Sequence, residues 1–131
     1  MIEAIARMLN AFYNSFGLPA FPEQQVPDTD ENGNPLEPPY ITYRLAAPTW
    51  RGNVTHYARV YYRSYSLAEV SAKADEITAR IGEGITLKSD DGYITLTPDD
   101  PYVQFQPTDE TPEMKIIRIN MEMGGYIRQK G

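Results

Sequence analysis

The amino-acid sequence predicts a single α+β domain, with two amphipathic helices packed on one face of a mostly antiparallel sheet. Two segments repeat apolar residues every three or four positions, which is the spacing of one helix face. Other segments alternate apolar and polar residues, as strands do, and the order along the chain is helix, strands, helix, strands. Residues 1–131 form one domain in this prediction, because domains commonly hold about 150 residues.

The first element is predicted to be a helix over residues 2–16. Its apolar stripe consists of Ile2, Ile5, Leu9, Phe12 and Phe16. Gly17 and Pro19 end this helix, since neither residue continues a helix well. The second helix begins at the Ser-Leu-Ala-Glu sequence of residues 66–69, which is typical of a capping box, and it ends at Gly82 or Gly84. Its stripe consists of Leu67, Val70, Ala74, Ile77 and Ile81.

Three strands are predicted in the part of the chain between the two helices. Residues 20–26 fit a short edge strand between two prolines, and residues 40–46 and 54–64 alternate clearly. Both of the longer strands have a second face of Tyr, Thr and Arg side chains. Between them, residues 28–39 contain almost nothing that could be buried. This acidic segment rich in Pro, Asn and Gly predicts a long exposed loop, or a hairpin tip that turns at Asn32-Gly33.

The strands after the second helix are bounded by turn residues and prolines. Residues 85–88 and 93–97 flank Asp90-Asp91-Gly92, which is typical of a hairpin turn. Residues 102–106 alternate between two proline pairs and predict a separate short strand. Residues 114–127 predict a long strand with a bend or bulge at Gly124-Gly125. One face of this strand carries Ile117, Ile119, Met121 and Met123.

The composition excludes several kinds of chemistry. The chain has no cysteine, which excludes disulfides, thiolate metal sites and cysteine nucleophiles, and it has one histidine. We expect that residue, His56, to be part-buried and hydrogen-bonded rather than a catalytic base. Asp90-Asp91 and Asp99-Asp100 are interpreted as turn and capping residues, because their spacing matches no calcium loop. The sequence therefore predicts a protein that is not an enzyme and that holds no cofactor or metal.

The N-terminal segment lacks the basic and apolar regions of a signal peptide, and no apolar run is long enough to span a membrane. We therefore expect a protein that is made and folded in a cytoplasm and has no membrane partner. The formal charge of −6 argues against specific nucleic-acid binding by the molecule as a whole.

The charges are segregated along the chain. Residues 38–68 hold four arginines and no acidic residue, interleaved with tyrosines and one tryptophan, whereas the acidic residues concentrate in 1–37 and 83–113. Arginine, tyrosine and tryptophan are the usual anchors of protein interfaces. Separate basic and acidic blocks suit head-to-tail association into rings. The candidate interface residues are Arg44, Trp50, Arg51, Tyr57, Arg59, Tyr61 and Arg63. A solvated sheet face with cation–π neighbours and a surface that stacks on single-stranded nucleic acid stay the alternative interpretations.

Short motifs spread over most of the chain carry a family resemblance. They are Leu18-Pro19-Ala20-Phe21-Pro22-Glu23, Val26-Pro27, Pro39-Tyr40-Ile41-Thr42-Tyr43-Arg44-Leu45, Trp50, Ala58–Arg63, Gly92-Tyr93-Ile94 and the Pro-Tyr-Val-Gln-Phe-Gln-Pro segment at 101–107. On these motifs the sequence resembles the tail terminator (tail completion) proteins of long-tailed bacteriophages. The resemblance implies a structural virion protein at the tail–head junction, assembled in the host bacterial cytoplasm.

The same resemblance implies an α+β subunit that forms a ring, typically a hexamer, through which DNA can pass. Such a ring caps the tail tube and joins it to the head connector or stopper protein, so these proteins and other copies of the chain are the implied partners. The resemblance transfers no catalytic residue. Three alternatives stay open: a neck or head-completion protein of the same particle, a monomeric module that binds a peptide or ligand, and a small hydrolase that depends on His56.

Overall fold

The structure is a computed structural model that describes residues 1–48, 52–108 and 111–128. It has an α+β architecture with one mixed, curled sheet and two α-helices. The helices are α1 (Ile2–Asn14) and α2 (Ala68–Ile81), and a short 3-10 turn covers Glu23–Gln25. The strands are β1 (Ala20–Pro22), β2 (Tyr40–Tyr43), β3 (Val54–Arg63), β4 (Ile85–Ser89), β5 (Gly92–Gln106) and β6 (Met114–Ile127).

The six strands lie in the order β1-β2-β3-β6-β5-β4. Four of the five neighbouring pairs are antiparallel, but β1 pairs with β2 in parallel, with Ala20 opposite Ile41. The expectation of a mostly antiparallel sheet therefore needs a correction at this edge. Parallel neighbours need a connection that returns the chain to the end of the sheet where the first strand began. The segment between β1 and β2 makes this return, so β2 starts beside the start of β1.

Helix α1 confirms the first predicted element, although it ends at Asn14 rather than Phe16. The helix stops where the Ser15 amide bonds back to the Phe12 carbonyl, and Gly17 then takes the positive φ of +81° that allows the chain to turn away. Four members of the predicted stripe are buried, namely Ile5, Leu9, Phe12 and Phe16, whereas Ile2 is 47% exposed and does not belong to the core. Among the described residues, no helix is long and apolar enough to cross a membrane.

Helix α2 confirms the second predicted helix but not its capping box. Ser66 Oγ accepts a hydrogen bond from the Ala68 amide at 3.1 Å, and not from the Glu69 amide that a capping box requires. Leu67 is 48% exposed and so does not belong to the buried stripe. The remaining stripe residues are buried as predicted: Val70, Ala74, Ile77 and Ile81.

Strand β5 joins two segments that the sequence presents as separate strands. The register with β6 shifts between Pro98 and Val103, so the prolines lie at a bulge where the ladder needs no backbone donor. Of the bend or bulge expected at Gly124-Gly125, the bulge is wrong, because both glycines keep regular register with β5. Gly125 instead has a φ of +132°, and a Cβ there would overlap the backbone of Tyr93.

The core lies on the inner face of the sheet, which β2, β3, β5 and β6 line with buried side chains. The predicted inner face of β6 is confirmed, because Ile117, Ile119, Met121 and Met123 are all at most 1% exposed. Helix α1 contacts this face through Tyr13, whose ring stacks on Tyr43 at 5.0 Å. Helix α2 contributes to the same apolar cluster.

Residues 28–39 contain the predicted hairpin tip. An antiparallel bridge joins Thr29 to Pro35, and Gly33 turns the chain with a φ of +82°. The Asp30 amide donates to the Asn34 carbonyl at 2.7 Å, and most of the segment is exposed. The segment is therefore a small ordered hairpin that extends from the β1–β2 side of the sheet.

Candidate protein interface

Four of the predicted interface residues lie together on the outer face of the sheet, opposite the core. Tyr57, Arg59 and Tyr61 occupy alternate positions of β3, and Arg44 follows β2 beside Tyr57. Arg44 Nη1 donates to the Thr55 carbonyl at 2.8 Å, which holds its side chain against the sheet. The alternation of strand side chains therefore brings these four residues onto one surface, as the sequence predicts.

The other three predicted interface residues do not lie at the centre of this surface or are not placed by the structure. Arg63 lies at the end of β3, where its Nη1 forms an ion pair with Glu113 at 3.2 Å. Trp50 and Arg51 lie outside the described residues, so the structure does not place them.

An ion-pair network closes over the centre of the outer face. The Tyr57 hydroxyl donates to both carboxylate oxygens of Glu23, at 2.7 and 2.8 Å. Arg59 Nη1 donates to the same carboxylate at 3.1 Å, and Arg59 Nε donates to Gln106 Oε1 at 2.7 Å. The 3-10 turn after β1 supplies Glu23, so this acidic residue comes from outside the acid-free segment 38–68.

Arg118 of β6 lies directly opposite Arg59 in the strand register. Its guanidinium carbon is 4.1 Å from the centroid of the Tyr57 ring, and that of Arg59 is 4.7 Å from the same centroid. Like charges directly across a strand pair repel each other. The electron-rich ring of Tyr57, which both guanidinium groups contact, offsets part of this repulsion. Arg118 Nε donates to Asn120 Oδ1 at 2.7 Å, and Asn120 in turn donates to Gln104.

A row of aromatic rings borders the arginines. The Tyr40 and Tyr61 rings stack across β2 and β3 with their centroids 4.7 Å apart, and Phe21 meets Tyr40 edge-on at 6.5 Å. We call the whole surface the arginine face, defined as Arg44, Tyr57, Arg59, Tyr61 and Arg118. Its rigid rings and bonded guanidinium groups lose little conformational entropy when a partner binds.

The charges on the arginine face are only partly balanced. Within the described part of the chain, Arg59 pairs with Glu23, whereas neither Arg118 nor Arg44 forms an ion pair. Partial burial and the adjacent Glu23 carboxylate raise the pKa of Tyr57, so this phenol stays protonated and continues to donate to Glu23. The face thus presents cationic and hydroxyl donors more than acceptors.

Sequence reasoning missed Arg118, Asn120 and Glu23. The first two had a signal, because they alternate with the apolar residues that predict the inner face of β6. Their importance depends on β6 lying beside β3, and a single sequence does not give that strand order. Glu23 had no local signal, since it reaches the arginines from two strands away.

His56 lies in the core and not on this surface. It is 0% exposed, and its Nε2 is 2.8 Å from the Tyr13 hydroxyl. Burial lowers the pKa of His56 to about 3, although the backbone of Arg44 opposes this shift. Within the described residues Nδ1 has no hydrogen-bond partner, so the expected satisfaction of the histidine holds for one nitrogen only. A base at this position has no access to a substrate.

The turn interpretation is confirmed for Asp90-Asp91 and is wrong for Asp99-Asp100, which lies within strand β5. Asp90 and Asp91 form the two-residue connection between β4 and β5, and Asp99 accepts a hydrogen bond from the Asp100 amide at the β5 bulge. No group of three acidic or histidine side chains in residues 1–48, 52–108 and 111–128 is arranged to hold a metal ion.

A second surface is apolar. Val103 and Phe105 on β5 are 40% and 55% exposed, beyond the part of the strand that β4 covers. Phe105 borders an open groove together with Leu67, and the other apolar lining residues are Pro107, Pro112, Met114 and Ile116.

Comparisons of the chain with models of protein families, with curated proteins and with solved structures found no match. The interpretation of the arginine face therefore depends on its own geometry and on the motif resemblance.

Proposed function

We propose that this chain is a structural assembly protein whose copies join through the arginine face. In this proposal it is a tail terminator: a ring, with six copies as the expected number, that caps a phage tail tube and joins it to the head connector. The observation that carries the proposal is an ordered surface of arginine and tyrosine on the side of the sheet opposite the core. This is the residue composition of interface anchors.

The placement of the helices supports an exposed outer face. Tyr13 of α1 contacts His56 on the inner face, and Lys73 of α2 donates to the Phe16 carbonyl just after α1 at 2.8 Å. These contacts favour both helices lying on the inner face, as the sequence predicts. The arginine face is then left for other copies of the chain or for other proteins.

The resembling motifs supply part of this surface. Pro22-Glu23 contributes the carboxylate that binds Tyr57 and Arg59, and the segment 39–45 contributes Tyr40 and Arg44. Residues of two of these motifs therefore take part in the contacts of the candidate interface. This coincidence supports the assembly role over a solvated face.

The size of the wild-type particle in solution tests the proposal. We expect light scattering after size exclusion to give a closed ring, and electron microscopy to show rings at the ends of tail tubes. Arg63→Glu reverses an exposed charge beside the arginine face and should weaken the ring. Arg80→Glu is the matched control, because it makes the same charge change on the exposed surface of α2. A monomer at every concentration refutes the proposal.

Tails assembled without the protein separate the neck alternative. Overlong tails support a terminator, whereas tails of normal length without heads indicate a neck or head-completion protein. The peptide-binding alternative has one observation in its favour, the apolar groove beside Phe105. It predicts a monomer, and Phe105→Ser should abolish its ligand binding without a change in mass.

A further inference from the structure

We propose that the acidic hairpin of one copy, residues 28–37, binds the arginine face of the next copy. This inference rests on the proposed function, because it names the two surfaces that meet in the ring. It specifies a head-to-tail contact in which carboxylates of one subunit bind the guanidinium groups of another.

The acidic hairpin is preorganised for such a contact. The Leu36 amide donates to the Asp28 carbonyl at 2.9 Å, which closes the base of the hairpin. At its tip, Asp30 Oδ1 accepts hydrogen bonds from the Asn32 and Asn34 amides at 2.9 and 3.0 Å. The hairpin is thus ordered by its own backbone and by one internal carboxylate, so binding a partner requires little further ordering.

Three carboxylates of the hairpin remain available to a partner. Asp28, Glu31 and Glu37 are exposed, and none of them forms an ion pair within the described part of the chain. They belong to a segment that contains no lysine or arginine. The hairpin therefore presents negative charge that the subunit itself does not neutralise.

Arg118 provides the complementary site. It is half-buried, its Nε is bonded to Asn120, and its terminal nitrogens have no hydrogen-bond partner among the described residues. Arg59 lies directly opposite Arg118, and of these two guanidinium groups only that of Arg59 pairs with the Glu23 carboxylate. A second carboxylate at Arg118 would relieve the remaining repulsion and form a charge-assisted hydrogen bond of the strong bidentate kind.

The donor of that carboxylate is a second copy rather than the same chain. The acidic hairpin extends from the β1–β2 side of the sheet, and within the subunit it forms no ion pair with the arginine face. Two different surfaces that bind each other make a heterologous contact, and such contacts close into rings when the rotation allows. Charge complementarity then selects the partner and its register.

Complementary charge reversals test this contact directly. One variant is Arg118→Glu, and the other is Asp28→Lys with Glu31→Lys. Each variant alone brings like charges together at every contact, and we expect its association to weaken by about tenfold or more. An equimolar mixture of the two should assemble again, because every contact in an alternating ring then joins opposite charges.

Two controls separate a broken contact from a broken fold. Asp75→Lys with Glu83→Lys makes the same charge change as the hairpin variant at exposed positions of α2 and just after it, and its assembly should match the wild type. Circular dichroism should show that each variant is folded at the assay temperature. Raising the salt concentration should weaken wild-type association, since the contact joins exposed carboxylates to a half-buried guanidinium group.

The outcomes distinguish this inference from the proposed function. A wild-type ring that both reversal variants also form overturns the hairpin contact and leaves the assembly role intact. Folded variants that stay dissociated when mixed overturn the direct pairing, and a stable complex of only two wild-type copies overturns the head-to-tail arrangement. A wild type that is monomeric at all concentrations overturns both proposals. Restored rings in the mixture support the contact.

Discussion

Acidification should weaken the fold through one group, the imidazole of His56. The side chain is 0% exposed between α1 and the sheet, with one nitrogen bonded to Tyr13 and the other without a partner among the described residues. Because burial penalises the charged imidazolium, the pKa of His56 is lowered from 6.5 to about 3. The folded protein therefore keeps His56 neutral at a pH where the unfolded chain protonates it.

The sign and the size of the effect follow from this difference. Between the unfolded pKa of 6.5 and the folded pKa of about 3, the unfolded state binds more protons. The stability contributed by neutral His56 is complete above the unfolded pKa and is lost as the pH falls toward the folded pKa. One pKa unit corresponds to about 1.4 kcal/mol, so the free energy of unfolding should fall by about 2 kcal/mol from pH 8 to pH 5.

Urea unfolding of the wild type and of His56→Gln across this pH range measures the effect. Carboxylates also begin to titrate near the acidic end, and subtraction of the two proteins removes their contribution. We expect the wild type to lose about 2 kcal/mol more than the variant, whatever their stabilities at high pH. The chain has a single histidine, so its NMR signal reports the folded pKa directly.

Two results would refute the reasoning. One is a folded-state imidazole that titrates near its ordinary pKa, since burial would then not disfavour its charge. The other is an equal loss of stability in the wild type and in His56→Gln, because the pH dependence would then come from other groups.

Two further predictions concern the sheet and its outer face. Gly125→Ala should cost more than about 2 kcal/mol, because its φ of +132° and the adjacent Tyr93 backbone both oppose a Cβ. Gly33→Ala, with a φ of +82° but open space around it, should cost about 1 kcal/mol, and thermal unfolding that reverses this order would contradict the geometry. Tyr57→Phe should cost about 1 kcal/mol in the wild type and less in a Glu23→Ala background, which removes the acceptor, whereas equal costs in this double-mutant cycle would argue against their hydrogen bond.

The elements that depend on local sequence were predictable. The stripe of α1 and the alternation of β3 each reflect which side chains one element turns toward the core, and a single segment contains that information. The structure confirms both, from buried Ile5 and Leu9 on the helix to buried Ala58 and Val60 on the strand. Much of the candidate interface followed from the same alternation, since Tyr57, Arg59 and Tyr61 share the opposite parity.

The features that depend on distant segments were not predictable in this way. The parallel pairing of β1 is set by the path of the chain through residues 28–39, and neither strand records it in its own residues. The union of two segments into β5 depends on β6, which runs past the proline-bearing bulge and pairs on both sides of it. Arg118 was missed for the same reason. It lies beside Arg59 only because β6 is the neighbour of β3, and that strand order is not recorded in either segment.

The charge pattern shows how sequence blocks and spatial surfaces diverge. The segment 38–68 has no acidic residue, yet Glu23 and Glu113 from outside it neutralise Arg59 and Arg63. The unbalanced cation of the centre is Arg118, which comes from another segment and lies opposite Arg59. A face that served only for contact with water would be more stable with opposite charges at those two positions. Among the described residues Arg118 pairs with no carboxylate, and the proposed contact between copies would supply one.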